Sequence, residues 1–274
     1  MRNLSRLVFL AILILIPRAA FATWSVVALN SKTGQAVVAS ATCVTGANLT
    51  RRAPPFGLRS IQAIVVPGKA AAAAQANVDA TFANQNLIYA ELQKGTDPAK
   101  IIEMLSADPN FQSRQFGIID MKGRAAGHSG TGNSPHSLHE QGKVPGQPIF
   151  YSIQGNILTN DEVVHDAVKA LIAAKGELTD RVMAAMEAAD AQGGDSRCSC
   201  DSLPKTPAPC VTKHAHIAYI LLAEKTDTNK TSYSDGDYSM FISVTEQDIK
   251  AEEDGNPVKT LRLRYDAWKK SRKG

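Results

Sequence analysis

Ala20-Phe21-Ala22 stands in front of Thr23, and a chain cut after Ala22 would begin with a residue that carries a hydroxyl and an α-amine together. A threonine hydroxyl is a weak nucleophile that needs an adjacent base, and an N-terminal threonine supplies its own amine. The reference pKa of that amine is about 7.7 to 8.0, so much of it is neutral near physiological pH. It can then accept the hydroxyl proton, directly or through one water. Inside a chain the same nitrogen is an amide and no base. Acyl transfer through Thr23 is the chemistry this arrangement allows.

The cut itself is legible. Arg2 and Arg6, an apolar run over 7–16, Pro17 and the small residues before Thr23 have the layout of a secretory signal over 1–22. The apolar run is too short to span a bilayer. Cleavage two residues earlier would put Arg18 where a small residue is needed, so the expected mature chain runs from Thr23 to Gly274, exported to a periplasmic or extracellular space. The formal charge of +4 loses three arginines with the leader and ends close to neutral, which argues against a nucleic-acid binder. No second apolar stretch reaches spanning length, so no membrane association is expected after the signal is removed.

Four cysteines in an exported chain point to disulfides among Cys43, Cys198, Cys200 and Cys210. A Cys198–Cys200 ring would be strained, which leaves Cys210 with one of those two and Cys43 with the other. Such pairing ties an early strand to a Pro-rich excursion over 202–209. The rival is a zinc site built from Cys198, Cys200, Cys210, His214 and His216, at a spacing that matches no standard pattern.

The elements that must position Thr23 follow from periodicity. Residues 23–29 read as a strand, 30–34 as a turn and 35–44 as a second strand, with Thr23, Ser25, Val27 and Leu29 on one face and Trp24, Val26 and Ala28 on the other. A third strand is expected over 60–66, a helix over 77–92, and a short helix after Asp97-Pro98. Residues 115–121 and 124–128 read as a hairpin turning at Lys122-Gly123, where Asp120 caps the turn. The Gly-, Pro-, Ser- and His-rich stretch over 130–148 reads as a long loop. Its His128 flank, His136, His139 and Glu140 lack the helical His-Glu-x-x-His form of a metal site. Residues 149–158 return to strand character. Thr159 with Glu162 reads as a capping box for a helix ended by Gly176, and a further helix covers 178–191 before Gly193-Gly194. Strands follow over 216–224 and 240–245. The segment from Pro257, rich in Lys and Arg, reads as a solvated, partly helical end.

Several stretches carry a family resemblance in order. They are Thr23-Trp24-Ser25-Val26-Val27-Ala28, Ala36-Val37-Val38-Ala39-Ser40, Asp108-Pro109 with Arg114-Gln115-Phe116-Gly117-Ile118-Ile119-Asp120, Gln154-Gly155-Asn156-Ile157-Leu158, and Met186-Glu187-Ala188-Ala189-Asp190-Ala191-Gln192-Gly193-Gly194-Asp195-Ser196-Arg197. Together they resemble domain of unknown function family 1028, placed in the N-terminal nucleophile (Ntn) hydrolase superfamily. The resemblance implies an α+β fold, a four-layer αββα sandwich, with Thr23 at the edge of the central sheets facing a cleft. It implies no substrate. Asn30 stands where an Asp is usual, the 130–148 loop lacks the expected tryptophan, and the insertion over 198–213 replaces a Gly-x-Gln-Ser stretch.

These readings give a signal over 1–22, an Ntn-hydrolase-like domain over 23–248 with the Cys/Pro-rich insertion at 198–213, and a basic tail over 249–274. Thr23 is the expected nucleophile and Asn156 the expected oxyanion donor. Ser25 and Ser40 are candidates to face the cleft and orient the amine, with Gln154 beside Asn156. Asp195 and Arg197 either anchor a substrate carboxylate or pair with each other. The expected function is an exported amidohydrolase that requires no cofactor and no metal. Its ligand would be a small amide, a peptide or a cell-wall-derived compound, and a homo-oligomer is left open. The alternatives are a non-catalytic peptide- or glycan-binding module and a degenerate hydrolase scaffold.

Overall fold

The structure, a computed structural model, describes residues 23–51, 56–78, 81–133 and 136–272. The expected leader over 1–22 and its expected cleavage site lie outside the described residues. The strands are β1 (Thr23–Asn30), β2 (Gln35–Thr42), β3 (Ala63–Val66), β4 (Ala70–Ala76), β5 (Arg114–Asp120), β6 (Ala125–Ser129), β7 (Leu138–Lys143), β8 (Ile149–Asn156), β9 (Ile217–Ala223) and β10 (Met240–Thr245). The helices are α1 (Gly46–Thr50), α2 (Leu58–Gln62), α3 (Ala83–Lys94), α4 (Pro98–Leu105), α5 (Glu162–Ala173), α6 (Leu178–Ala191) and α7 (Pro257–Ser271).

The result is a mixed α+β fold with two antiparallel sheets. One has six strands in the order β10-β9-β2-β1-β8-β7, the other four in the order β3-β4-β5-β6. The period-two reading of β1 decides the packing. Trp24, Val26 and Ala28 point away from the second sheet into a core with Val163, Val164 and Leu171 of α5 and Val182, Met183 and Met186 of α6. Val27 and Leu29 point the other way, into a core shared with Ala63 and Val65 of β3, Ala71 and Ala73 of β4 and Ile119 of β5. A third core joins Ala72, Phe116 and Ile118 to Ile88 and Leu92 of α3 and Ile101 and Leu105 of α4. The central strands of both sheets therefore bury both faces, while the edge strands β6 and β7 stay half-buried or exposed.

The hairpin β1–β2, the hairpin β5–β6 and the helices α4 and α6 lie where periodicity places them. Asp97 caps α4 through the Ala99 N–H, and Asp120 Oδ1 accepts from the N–H groups of Lys122 and Arg124, closing that turn. Other expectations need correction. Residues 58–62 form α2, so the third strand is shortened to β3; the buried Arg59 anchors that helix by donating to the carbonyls of Ser234 and Gly236. The expected helix over 77–92 begins only at Ala83, and β4 precedes it. Six alanines and one glutamine carry no strand signal, because alanine favours helix, yet their small side chains suit a strand buried on both faces.

The expected long loop contains β7, which pairs with β8 through His139 opposite Gln154. Thr159 does not cap α5; its hydroxyl donates to the Gly193 carbonyl and ties the start of α5 to the exit of α6. The segment from Pro257 is not a solvated end. It forms α7, capped by Asn256, whose Val258, Leu261 and Tyr265 are buried in the same core as α6 and β10. No helix among the described residues is long and apolar enough to cross a membrane.

Candidate functional site

Thr23 is the first described residue of β1 and lies between Thr42 of β2 and Asn156 of β8. The register puts Ser25 between Ser40 and Gln154 in the next inward-facing row. Side chains at matched positions share a face, so these six polar residues gather at one end of the space between the sheets. Thr23 is 2% exposed, and its hydroxyl donates to Thr42 Oγ1 at 3.2 Å.

Opposite this row stand three buried glutamines, Gln62, Gln75 and Gln115. Gln75 of β4 donates to the Thr23 carbonyl at 2.9 Å and to Gln115 Oε1 at 2.7 Å, and accepts from Ser25 Oγ and from Gln62 Nε2, each at 2.7 Å. Tyr219 OH donates to Gln62 Oε1 at 3.2 Å. Burial pushes the Tyr219 phenol far above its ordinary range, so it stays a donor at any physiological pH. Gln115 of β5 accepts from Asn156 Nδ2 at 3.1 Å and donates to the Gly155 carbonyl at 2.8 Å and to Ser129 Oγ at 2.6 Å. Gln154 crosses the gap to the Ala73 carbonyl at 3.1 Å. Gly117 makes room for this crossing, since a Cβ there would collide with Ser152 Oγ and Gln154 Oε1. Each amide both donates and accepts, so a few glutamines can satisfy many buried polar groups.

Asn156 Nδ2 keeps a second N–H beyond the one given to Gln115. By register that group stands beside Thr23 as a side-chain donor. Ser40 Oγ donates to the Trp24 carbonyl at 2.6 Å, so it holds the β1 backbone rather than the Thr23 side chain. Asp195 is wholly buried and accepts from the Cys43 N–H, from the Arg197 N–H, and from the Arg197 guanidinium at 3.0 and 2.9 Å. Asp195 and Arg197 thus form a bidentate pair that pins the chain leaving β2. The same point is held covalently by Cys43–Cys198, while Cys200–Cys210 closes the insertion; the Cα separations are 5.8 and 5.7 Å. Both pairs match the expected partition, and the cysteines of the zinc alternative are all consumed. Gly194, at φ +42°, lies against Trp24, and a Cβ there would come within 2.6 Å of the ring.

Pattern reading gave no role to Gln62, Gln75, Gln115 or Ser129, and weighed His139 only as a metal ligand. Polar residues at inward positions of strands were the available signal: Gln75 interrupts an alanine run, and Gln115 stands second in β5 before an apolar stretch. His139 Nδ1 lies 3.1 Å from Ser129 Oγ, and burial holds its pKa below the ordinary range, as does the neighbouring His128. A neutral imidazole therefore ends the chain of contacts from Thr23 through Gln75, Gln115 and Ser129. Among the described residues, a cavity of about 390 Å³ is lined by Phe56, Phe82 and Tyr233 and one of about 270 Å³ by Leu92, Asp120 and Arg124, and Thr23 lines neither.

A family of unknown function, DUF1028, matches residues 23–203. The chain belongs to DUF1028. The crystal structure of a DUF1028 protein from Silicibacter pomeroyi is similar, at a TM-score of 0.64 and 18% identity over 90% of this chain and 88% of that one. At that identity the likeness concerns the DUF1028 fold alone. Among curated proteins no match is found. The matched DUF1028 segment holds the β1–β2 hairpin, the three glutamines opposite it, Gln154, Asn156, Asp195 and Arg197, and stops before Lys213 and β9.

Proposed function

We propose that the protein is an exported Ntn-type amidohydrolase of αββα architecture, made active when cleavage after Ala22 frees Thr23. The observation that carries this reading is the buried polar end of the inter-sheet space, which fixes Thr23 from three sides at the start of a central strand. A nucleophile needs such rigid support, and a strand start gives it where a loose terminus would not. The family match beginning at Thr23 agrees with it.

In the proposed reaction the freed α-amine takes the Thr23 hydroxyl proton as the oxygen attacks the amide carbon. The second N–H of Asn156 stabilises the oxyanion, and the protonated amine passes its proton to the leaving nitrogen. Water, activated by the same amine, then releases the acyl group from Thr23. Gln75 holds the Thr23 carbonyl and thereby the strand that carries the nucleophile.

The second reading, a peptide- or glycan-binding module, draws on the closed state of the Thr23 hydroxyl against Thr42. The two separate experimentally. Thr23→Ala should lower amide turnover by at least about a thousandfold while Thr23→Ser keeps part of it, and one extra residue before Thr23 should be as damaging as the alanine. N-terminal sequencing of the secreted protein tests the premise, because any start other than Thr23 removes the base. Equal turnover by the alanine variant ends the hydrolase reading.

A further inference from the structure

Just beyond the end of β2, three buried residues bring together polar groups that the fold leaves partly unused. Lys213 is 3% exposed, and its ammonium makes no hydrogen bond or ion pair with any described residue. His216 is equally buried and its Nδ1 is unpartnered among the described residues. Glu246, 4% exposed, accepts from the Gly46 N–H at 2.7 Å through Oε1, whereas Oε2 has no described partner. Backbone bonds hold two of them together at the end of β2: the His216 N–H donates to the Thr42 carbonyl at 2.7 Å and the Glu246 N–H to the His216 carbonyl at 2.9 Å, with Lys213 three residues before His216 in the chain.

The Lys213 stem is buried while its ammonium keeps contact with solvent, so it can reach an incoming group without first breaking an ion pair. Glu246 is close enough to attract Lys213, yet the chain keeps the two apart. Arg197 adds positive charge, but its guanidinium is already committed to Asp195. Burial first, then the charges of Lys213 and Arg197, hold His216 down at about 4, so it is neutral at physiological pH. Burial likewise raises the Glu246 carboxyl. What stands open is one strong cationic donor and, beside it, acceptors at Glu246 and His216. Lys213 is also the last residue of the insertion that two disulfides tie down, which gives that insertion a task.

We propose that Lys213, His216 and Glu246 form a recognition site for an acylated amino acid or peptide end, Lys213 holding the carboxylate and Glu246 accepting the adjacent N–H. The site deepens the hydrolase reading by naming the substrate class, and rests on that reading only for the fate of the ligand. Thr42 links the two places, its hydroxyl accepting from Thr23 and its carbonyl from His216. The family match stops at residue 203, before all three residues.

Calorimetric titration with three matched compounds tests it: N-acetylalanine, N-acetylalaninamide, which lacks the carboxylate, and O-acetyllactate, which lacks the N–H. N-acetylalanine should bind at least tenfold more tightly than either analogue, and Lys213→Met should weaken it at least tenfold. Equal binding of the amide, absence of N-acetylalanine binding at millimolar concentration, or an unchanged Lys213→Met variant overturns the proposal. Should that variant fail to fold, the ranking of the three compounds on the native protein decides alone. Thr23→Ala should leave N-acetylalanine binding within twofold even where it removes turnover, so failure of the binding site and failure of the hydrolase reading give different results.

Discussion

Thr23 and Ser25 share the inward face of β1 with Val27 and Leu29, yet the two halves of that face meet the second sheet in opposite ways. Val27 and Leu29 press on Ala63, Val65, Ala71 and Ala73, a contact with no polar atoms to satisfy. Thr23 and Ser25 meet Gln75, which needs four hydrogen bonds placed correctly. The apolar half is sufficient to hold two sheets together, and hydrophobic burial is tolerant of detail. A buried amide network adds little net stability and fixes geometry instead. Such a network at one end of the interface, around one hydroxyl, marks the end where position matters.

The comparison breaks if the polar half proves to be the main source of stability. Leu29→Ala removes a fully buried side chain and should cost about 2 to 5 kcal/mol in urea unfolding, with the Thr23 environment little changed. Gln75→Leu leaves the Thr23 carbonyl, Ser25, Gln62 and Gln115 short of a partner, and should cost about 3 kcal/mol although the new residue is more apolar. A stabilised Gln75→Leu protein would show that the network is dispensable for folding and kept for the site alone.

The third effect depends on pH. His216 is held at about 4 against 6.5 in the unfolded chain, so between these values the unfolded state binds more protons and stability falls as pH drops. The loss should be on the order of 3 kcal/mol between pH 6.5 and pH 4, and absent above that window. His216→Phe should flatten that part of the unfolding profile; an unchanged slope would place the acid sensitivity elsewhere. Smallest is Tyr219→Phe, which deletes the hydrogen bond to Gln62 at the edge of the network and should cost about 1 kcal/mol. A much larger loss would mean that the network acts as one cooperative unit.

Much of the scaffold is legible in the order of residues alone. Alternation along 23–29 assigns both faces of β1, Asp97-Pro98 marks α4, and the four cysteines allow a partition that the fold completes as Cys43–Cys198 and Cys200–Cys210. Each of these rests on local chemistry: side-chain period, a capping carboxylate, the strain of a small ring. The β4 strand is not legible, because its six alanines are not strand formers by themselves and become strand only when two sheets need small side chains between them. Nor is the docking of α7, whose charges hide a narrow stripe of Val258, Leu261 and Tyr265.

The site divides along the same line. Residue types along the chain by themselves determined that Thr23 begins a strand and that Asn156 lies near the end of another, read over 149–158 and ending at Asn156 in the fold. That Thr23 lies opposite Asn156, that Gln75 and Gln115 arrive from the second sheet to hold them, and that Lys213 is buried beside His216 and Glu246 were decided by pairing between residues far apart in the chain. Sequence spacing carries a side-chain period, but the partner of a buried polar group is chosen only when the sheets close and water is excluded.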